Sequence, residues 1–272
     1  MRINTNTQAM NANRVLDTNT HTLGKSIKRL SSGFRINRGA DAAAGLAVSE
    51  IMRSQIKGYE VASRNAQDGV SLVQTADGGL NSLGESLQRL RELSLQASNG
   101  TYTDSDPANL QAEVTQLLSE IDSVGQNMTF NQVAILGCGS VASTGITLSL
   151  GPNGEAINLT IATVASGDLG VGGVDVSTQA GAVAAIASID AAISTVTTQR
   201  ADLGALQNRL EKTIDNLALS RENLSAAESR IRNTDMAKEM TDFTRLQILQ
   251  QAGTAMLAQA NAMPQSVLQL LG

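Results

Sequence analysis

One periodicity constrains this chain more than any other feature. From Ile186, steps of alternately three and four residues reach Ile189, Ile193, Val196, Arg200, Leu203, Gln207, Leu210, Ile214, Leu217, Arg221, Leu224, Glu228 and Ile231. One of the two interleaved heptad series (Ile189, Val196, Leu203, Leu210, Leu217, Leu224 and Ile231) is apolar without exception. Such spacing keeps one stripe of a helix facing a partner helix, the seam of a coiled coil. Polar residues enter only the other series, as where a seam is partly wet or meets a third helix. No proline interrupts residues 183–232. A helix that long spans about 70 Å, more than the diameter of a compact domain, so the sequence predicts an elongated molecule.

Partner helices read out of the first half. Val73, Ala76, Leu80, Leu83, Leu87, Leu90, Ser94 and Ala97 keep the same step, extended backward more weakly through Val48, Met52, Tyr59, Ala62 and Ala66. Asn99-Gly100 stops this helix, glycine being the usual residue after a helix end. The stretch Thr103-Asp104-Ser105-Asp106-Pro107 restarts one, with aspartate as cap and proline in the first turn. Leu110, Val114, Leu117, Ile121, Val124 and Met128 then follow at helical spacing. Three helices at about 44–99, 107–129 and 183–232 are expected to pack antiparallel as a mainly α, elongated bundle.

Residues 137–178 change character. Ile146, Leu148 and Leu150 alternate with polar residues, Gly151-Pro152-Asn153-Gly154 follows, and Ile157, Leu159 and Ile161 alternate again. This reads as a β-hairpin with one apolar face on the end of the bundle. The glycine-rich stretch 166–173 lacks the Lys-Ser/Thr of a phosphate-binding loop and reads as a flexible connector.

Both chain ends carry amphipathic stripes outside the bundle. One comprises Leu16, Leu23, Ile27, Leu30 and Phe34; the other Met236, Met240, Phe243, Leu246, Leu249, Met256, Ala260, Met263, Val267 and Leu270. These stripes either extend the bundle core or stay under-buried until another copy supplies the missing surface.

Composition narrows the function. Aromatic residues are 2% of the chain against 42% hydrophobic overall, so small aliphatics do the packing. One cysteine (Cys138) and one histidine (His21) cannot build a disulfide framework or a Cys/His zinc site, and His21 sits among asparagine and threonine as a solvated side chain. A net charge of −5 offers no electrostatic footprint for nucleic acid. Met1-Arg2-Ile3 leads into Asn4, Thr5, Asn6 and Thr7 without the apolar core of a cleaved export signal. No stretch approaches the roughly 20 apolar residues of a membrane span. The expectation is a structural helical protein, not an enzyme, with no cofactor, that is cytoplasmic or leaves the cell without a cleaved signal.

Three segments carry a specific resemblance. Arg29 to Ala47 reads RLSSGFRINRGADAAAGLA, Leu87 to Thr101 reads LQRLRELSLQASNGT, and the C-terminus contains PQSVLQLL from Pro264 to Leu271. Together they resemble bacterial flagellins across about 1–136 and 178–272. The resemblance implies a coiled pair of chain ends (1–43 with 233–272) lining a filament core. It also implies a helical rod layer (44–136 with 178–232) and a short middle (137–177) with no large outer domain. Gln132 departs from the family pattern, which usually has glycine after Phe-Asn, and Cys138 is unusual for the family.

The same resemblance implies a structural subunit of an extracellular flagellar filament, exported unfolded by the flagellar type III route. Its partners would be many copies of itself, hook-associated junction and cap proteins, an export chaperone on the C-terminal helix, and the flagellin-sensing Toll-like receptor of animal hosts. The filament-core interface would comprise Leu16, Leu23, Ile27, Leu30, Phe34, Met256, Met263, Val267, Leu268, Leu270 and Leu271. Arg89 and Leu93 lie four apart on one helix face off the seam, which predicts an exposed Leu93 beside charges; a scattered surface leucine or packing on helix 107–129 are the alternatives. With Glu113, these positions match a family surface that packs against neighbouring subunits and binds the receptor. A hook–filament junction protein or an adhesin-like coiled coil would share the terminal coils without polymerising at length.

Overall fold

The computed structural model describes residues 5–99, 106–137 and 145–271, with backbone alone for 106–107 and 264–271. Cys138, Gly100, Thr103, Asp104 and Ser105 lie outside the described residues, as does the side chain of the expected cap, Asp106. Five long helices occur among them: α1 (Thr7–Ser32), α2 (Ala43–Ala97), α3 (Asp106–Asn127), α4 (Gln179–Arg232) and α5 (Met236–Leu271). Four short strands form two antiparallel hairpins, β1 (Thr129–Phe130) with β2 (Val133–Ala134) and β3 (Ile146–Ser149) with β4 (Ala156–Leu159). The mainly α class and the middle hairpin agree with the sequence reading. The chain divides into two compact units, Met1–Ile56 with Glu222–Gly272, and Lys57–Arg221. These boundaries fall inside α2 and α4, not at the ends of helices.

Within Lys57–Arg221, α2 and α4 run antiparallel. Gln179 donates to the Ser98 carbonyl at 3.1 Å, Arg91 meets Asp190 at 2.6 Å, and Arg200 meets Asp77 at 2.8 Å. The seam residues Val73, Ala76, Leu80, Leu83, Leu87, Leu90, Ser94 and Ala97 are all buried, opposite Ile189, Val196, Leu203 and Leu210. Helix α3 adds Val114 and Ile121 to the same core, with Leu110, Leu117, Val124 and Met128 packed against it. Burying each large aliphatic side chain contributes roughly 1.5–3 kcal/mol, and alanines (Ala66, Ala76, Ala185, Ala192) fill the positions where the core has least room. The weaker backward extension of the seam fails at Val48, which is exposed; the neighbouring Ser49 is buried instead.

The segment after α3 is more structured than expected. The β1–β2 hairpin turns at Asn131 and Gln132, both with positive φ (49° and 65°), a geometry whose twist suits a two-residue hairpin. The β3–β4 register pairs Ile146 with Leu159 and Leu148 with Ile157, so the apolar residues share one face. That face lies along α2, not only at a bundle end. A Cβ at Gly69 would sit 2.6 Å from Leu148 Cδ1, and Asn65 donates to the Ser149 carbonyl. The glycine-rich stretch is no loose connector. Ile161, Val164, Leu169, Val171, Val174 and Val176 are buried in the core. The Asp122 carboxylate accepts from Ser166 N and Oγ (2.8 and 3.0 Å), and Gln111 bonds both Val174 O and Val176 N. Side chains of α3 satisfy a backbone that lacks a sheet partner, which periodicity could not reveal.

The membrane expectation also needs correction. Helix α4 contains an 18-residue window of mean hydropathy 1.5, long and apolar enough by composition to cross a bilayer. Ala182, Ala185, Ile189, Ala192 and Val196 of this helix are core residues of the helical unit.

Candidate assembly interface

The unit formed by Met1–Ile56 and Glu222–Gly272 contains the α1–α5 pair. The helices run antiparallel: Asn6 donates to the Ala260 carbonyl, Gly253 faces Leu16, and Ser26 donates to Glu239 at 2.7 Å. Arg29 adds an ion pair to the same glutamate at 3.7 Å. The facing residues follow a strict three/four step. On α1 they are Ala9, Ala12, Leu16, Asn19, Leu23, Ser26 and Leu30; on α5, Glu239, Phe243, Leu246, Gln250, Gly253, Leu257 and Ala260. All are at least half-buried, but the seam is small and partly polar. Asn6 caps α1 by accepting from Ala9 N, Gly33 ends it at φ 74°, and Asp235 caps α5.

The sequence-predicted interface residues separate into two groups. Leu16, Leu23 and Leu30 face α5. Ile27, Phe34, Met256 and Met263 lie outside the seam and are exposed. The expected α5 stripe therefore merged two faces: Phe243, Leu246 and Ala260 meet α1, while Met240, Leu249 and Met256 do not. The side chains of Val267, Leu268, Leu270 and Leu271 lie outside the described residues. Met10, Val15 and Ile248 are exposed apolar residues that the sequence reading did not assign to the interface. Ile248 and Leu249, with Arg245, Thr241 and Thr244, line an open trough of about 470 Å³ on α5. His21 is exposed, as expected.

A short junction closes this unit beside the helix pair. Phe34 bridges Asn233 in antiparallel fashion, Arg35 N donates to the Arg232 carbonyl, and Thr234 N donates to the Gly33 carbonyl. The Arg35 guanidinium caps the end of α4 by donating to the carbonyls of Arg230 and Ile231. Arg232 lies over the Phe34 ring at 4.9 Å and pairs with Glu50 at 2.6 Å. This hydrogen bond from Arg232 is the main reason the Glu50 carboxyl ionises below its ordinary range. Asp41 is held low by backbone N–H donors of Arg38 and Asn37, which it draws into a tight turn. Arg232 Nε and Thr234 Oγ1 are buried here without partners, so the junction is polar and incompletely satisfied.

On α2, Arg89 and Glu113 do come together. Both Nε and Nη2 of Arg89 donate to Glu113 Oε1 (2.9 and 2.8 Å), and Nη1 pairs with Glu92 at 3.1 Å. These contacts hold the guanidinium firmly protonated. Leu93 corrects the sequence expectation. It is 1% exposed and part of the core, because α3 covers α2 on a second side and widens its buried stripe beyond the α4 seam. The exposed leucine is Leu95, at 59%, on the outward face with Gln88 and Glu92. Its seven-residue offset from Gln88, itself off the seam, was the available signal.

These features define a class: a mainly α chain of long antiparallel helix pairs, one closed around a full core and one nearly coreless, with a small β insertion. Residues 3–138 match the bacterial flagellin N-terminal helical region, and residues 186–271 the bacterial flagellin C-terminal helical region. A flagellin of Halalkalibacterium halodurans is 48% identical over 274 residues, covering 100% of both chains. Among solved structures, a crystal structure of Bacillus cereus flagellin aligns at TM-score 0.51 and 31% identity, covering 57% of this chain and 88% of that one. A hook-associated protein structure from Vibrio parahaemolyticus shares the fold at TM-score 0.58 and 14% identity, covering 71% of this chain and 100% of that chain. The chain belongs to the bacterial flagellin family, whose members are structural subunits of the flagellar filament.

Proposed function

We propose that this chain polymerises through its terminal helices, with 1–43 and 233–272 lining a filament core. In this reading 44–136 with 178–232 form the next layer, and 137–177 form a short middle without an outer domain. The observation that carries this reading is the imbalance of the α1–α5 pair. Among the described residues, Leu23 and Leu246 are its buried apolar side chains, whereas Met10, Val15, Ile27, Ile248, Leu249 and Met256 are exposed. Isolated helices are marginal in water, so neighbouring copies would bury faces that the pair leaves open. A contact between unlike faces of successive copies does not close on itself and generates a helical filament. Electron microscopy of the purified full-length chain is expected to show long filaments. Deletion of residues 236–272 is expected to leave a soluble helical monomer; filaments from that truncation would refute the mechanism.

Export by the flagellar type III route fits a terminal pair that has little core to unfold. An export chaperone would mask the C-terminal stripe, with Val267, Leu268, Leu270 and Leu271 as its apolar contacts. Polar replacement of these four is expected to weaken chaperone binding. Hook-associated junction and cap proteins would meet the same terminal faces at the filament ends. Host Toll-like receptor recognition of the monomer would centre on the Arg89–Glu113 pair, with Leu93 supporting α2 from beneath. A reporter-cell assay is expected to lose signal with Arg89→Ala; an unchanged response would remove Arg89 from that surface.

A further inference from the structure

Methionine is an apolar side chain that a single oxygen atom converts into a polar one. The chain has eight methionines against three phenylalanines and no tryptophan, and their placement is uneven. Met10 on α1 and Met236, Met240 and Met256 on α5 are exposed, Met10 and Met256 at 65%. None of the four lies on the α1–α5 seam. Met128 differs: it packs against the core of Lys57–Arg221, with its Cε over Gly79. These four thioethers therefore sit on faces left open by helix pairing, whereas Met128 is half-buried against the closed core.

We propose that Met10, Met236, Met240 and Met256 are oxidation sites through which peroxides block self-association of the free chain, and that association in turn shields them. This inference rests on the assembly reading above. The thioether sulfur attacks one oxygen of hydrogen peroxide. The S–O bond forms as the O–O bond breaks, and sulfur loses two electrons. The leaving hydroxide takes the proton of the transferred oxygen and departs as water. The product is a methionine sulfoxide, a strong hydrogen-bond acceptor that is costly to bury without a donor. Because these residues make none of the seam contacts, oxidation leaves the α1–α5 pair intact and acts on association alone. Reduction by a methionine sulfoxide reductase restores the thioether.

The test uses the full-length chain carrying Cys138→Ser, so that thiol oxidation does not contribute. Monomer and assembled protein are treated with dilute hydrogen peroxide, and each methionine is followed by peptide mass mapping. In the monomer the four sites are expected to oxidise several-fold faster than Met128, and to slow several-fold once assembled. The oxidised monomer is expected to keep its helical circular dichroism and lose filament formation, with recovery after reductase treatment. In a variant with Met10→Leu, Met236→Leu, Met240→Leu and Met256→Leu, the ratio of assembly after peroxide to assembly before it is expected to stay near one, against a several-fold loss in the parent chain. Equal oxidation of Met128, undiminished assembly of the oxidised chain, or equal inactivation of the leucine variant would each overturn the proposal. If untreated protein does not assemble, the assembly reading fails instead, and the monomer oxidation rates still decide the site assignment.

Discussion

Every seventh residue from Ile189 to Ile231 is apolar, yet the series does not have one fate. Ile189, Val196, Leu203, Leu210 and Leu217 are buried, while Leu224 and Ile231 are only half-buried. The first five belong to Lys57–Arg221 and the last two to the unit of Met1–Ile56 and Glu222–Gly272. In Lys57–Arg221, α3, two hairpins and the 161–176 strap close around the α2–α4 pair. In the other unit, α1 meets α5 along one line, and Leu23, Ile36 and Leu246 are its buried apolar residues among those described. Spacing decides which face of a helix is apolar. The number of elements that reach that face decides whether it becomes core.

The largest expected effect separates the two units directly. Leu87 is fully buried beneath α3 and α4, so Leu87→Ala leaves a cavity and is expected to cost about 2–5 kcal/mol. Leu16→Ala, in a half-buried seam open to water, leaves no enclosed cavity and is expected to cost about 1 kcal/mol. Denaturant unfolding combined with amide hydrogen exchange checks both. The loss from Leu16→Ala is expected to be confined to α1 and α5. If it lowers protection throughout Lys57–Arg221 as Leu87→Ala does, the two units are not energetically distinct.

How far the sequence could be read follows the same division. The long helices were legible because their periodicity runs for many turns: expected bounds of 44–99, 107–129 and 183–232 became Ala43–Ala97, Asp106–Asn127 and Gln179–Arg232. The β3–β4 hairpin was legible from alternation. The 161–176 strap was not, because its backbone is satisfied by Asp122 and Gln111, residues far away in sequence. Leu93 is not legible from the seam because heptad spacing marks the face toward one partner, and α2 has two. The apolar residues of α5 cover more than one face, and only the packing of α1 shows which face is the seam. Arg89 and Glu113 came from a resemblance; their contact is a property of how α3 folds back on α2.

A smaller effect is expected within the closed unit. Gln132 holds φ 65°, a left-handed conformation, at the β1–β2 turn. Such a conformation costs a non-glycine residue roughly 1–2 kcal/mol. Glycine would relieve it, against a gain of roughly 0.4–1 kcal/mol in unfolded-chain freedom. Gln132→Gly is therefore expected to stabilise Lys57–Arg221 by about 0.5 kcal/mol, read as a higher denaturation midpoint with no change in α1 or α5 exchange. A lower midpoint would mean that Gln132 makes a compensating contact outside the turn.

The smallest effect is expected in the open unit, and it depends on pH. Glu50 and Asp41 both ionise below their ordinary values because their charged forms are hydrogen-bonded in the folded chain, Glu50 chiefly by Arg232 and Asp41 by two backbone N–H groups. A depressed carboxyl contributes stability that is fully present above its unfolded value, about 4.5 for glutamate, and is lost as pH falls through the lower folded value. Acidification below that range is thus expected to loosen the Phe34–Asn233 bridge while the α2–α4 core, closed by apolar burial, stays protected. Exposed ion pairs contribute little, so the loss should be local. It is read as amide protection at residues 35 and 234, corrected for the intrinsic pH dependence of exchange. Glu50→Gln should reproduce part of the loosening at neutral pH and flatten the remaining acid response, leaving only the Asp41 turn to titrate. If acid lowers protection equally in Lys57–Arg221, the pH response belongs to the whole chain and the junction is not its origin.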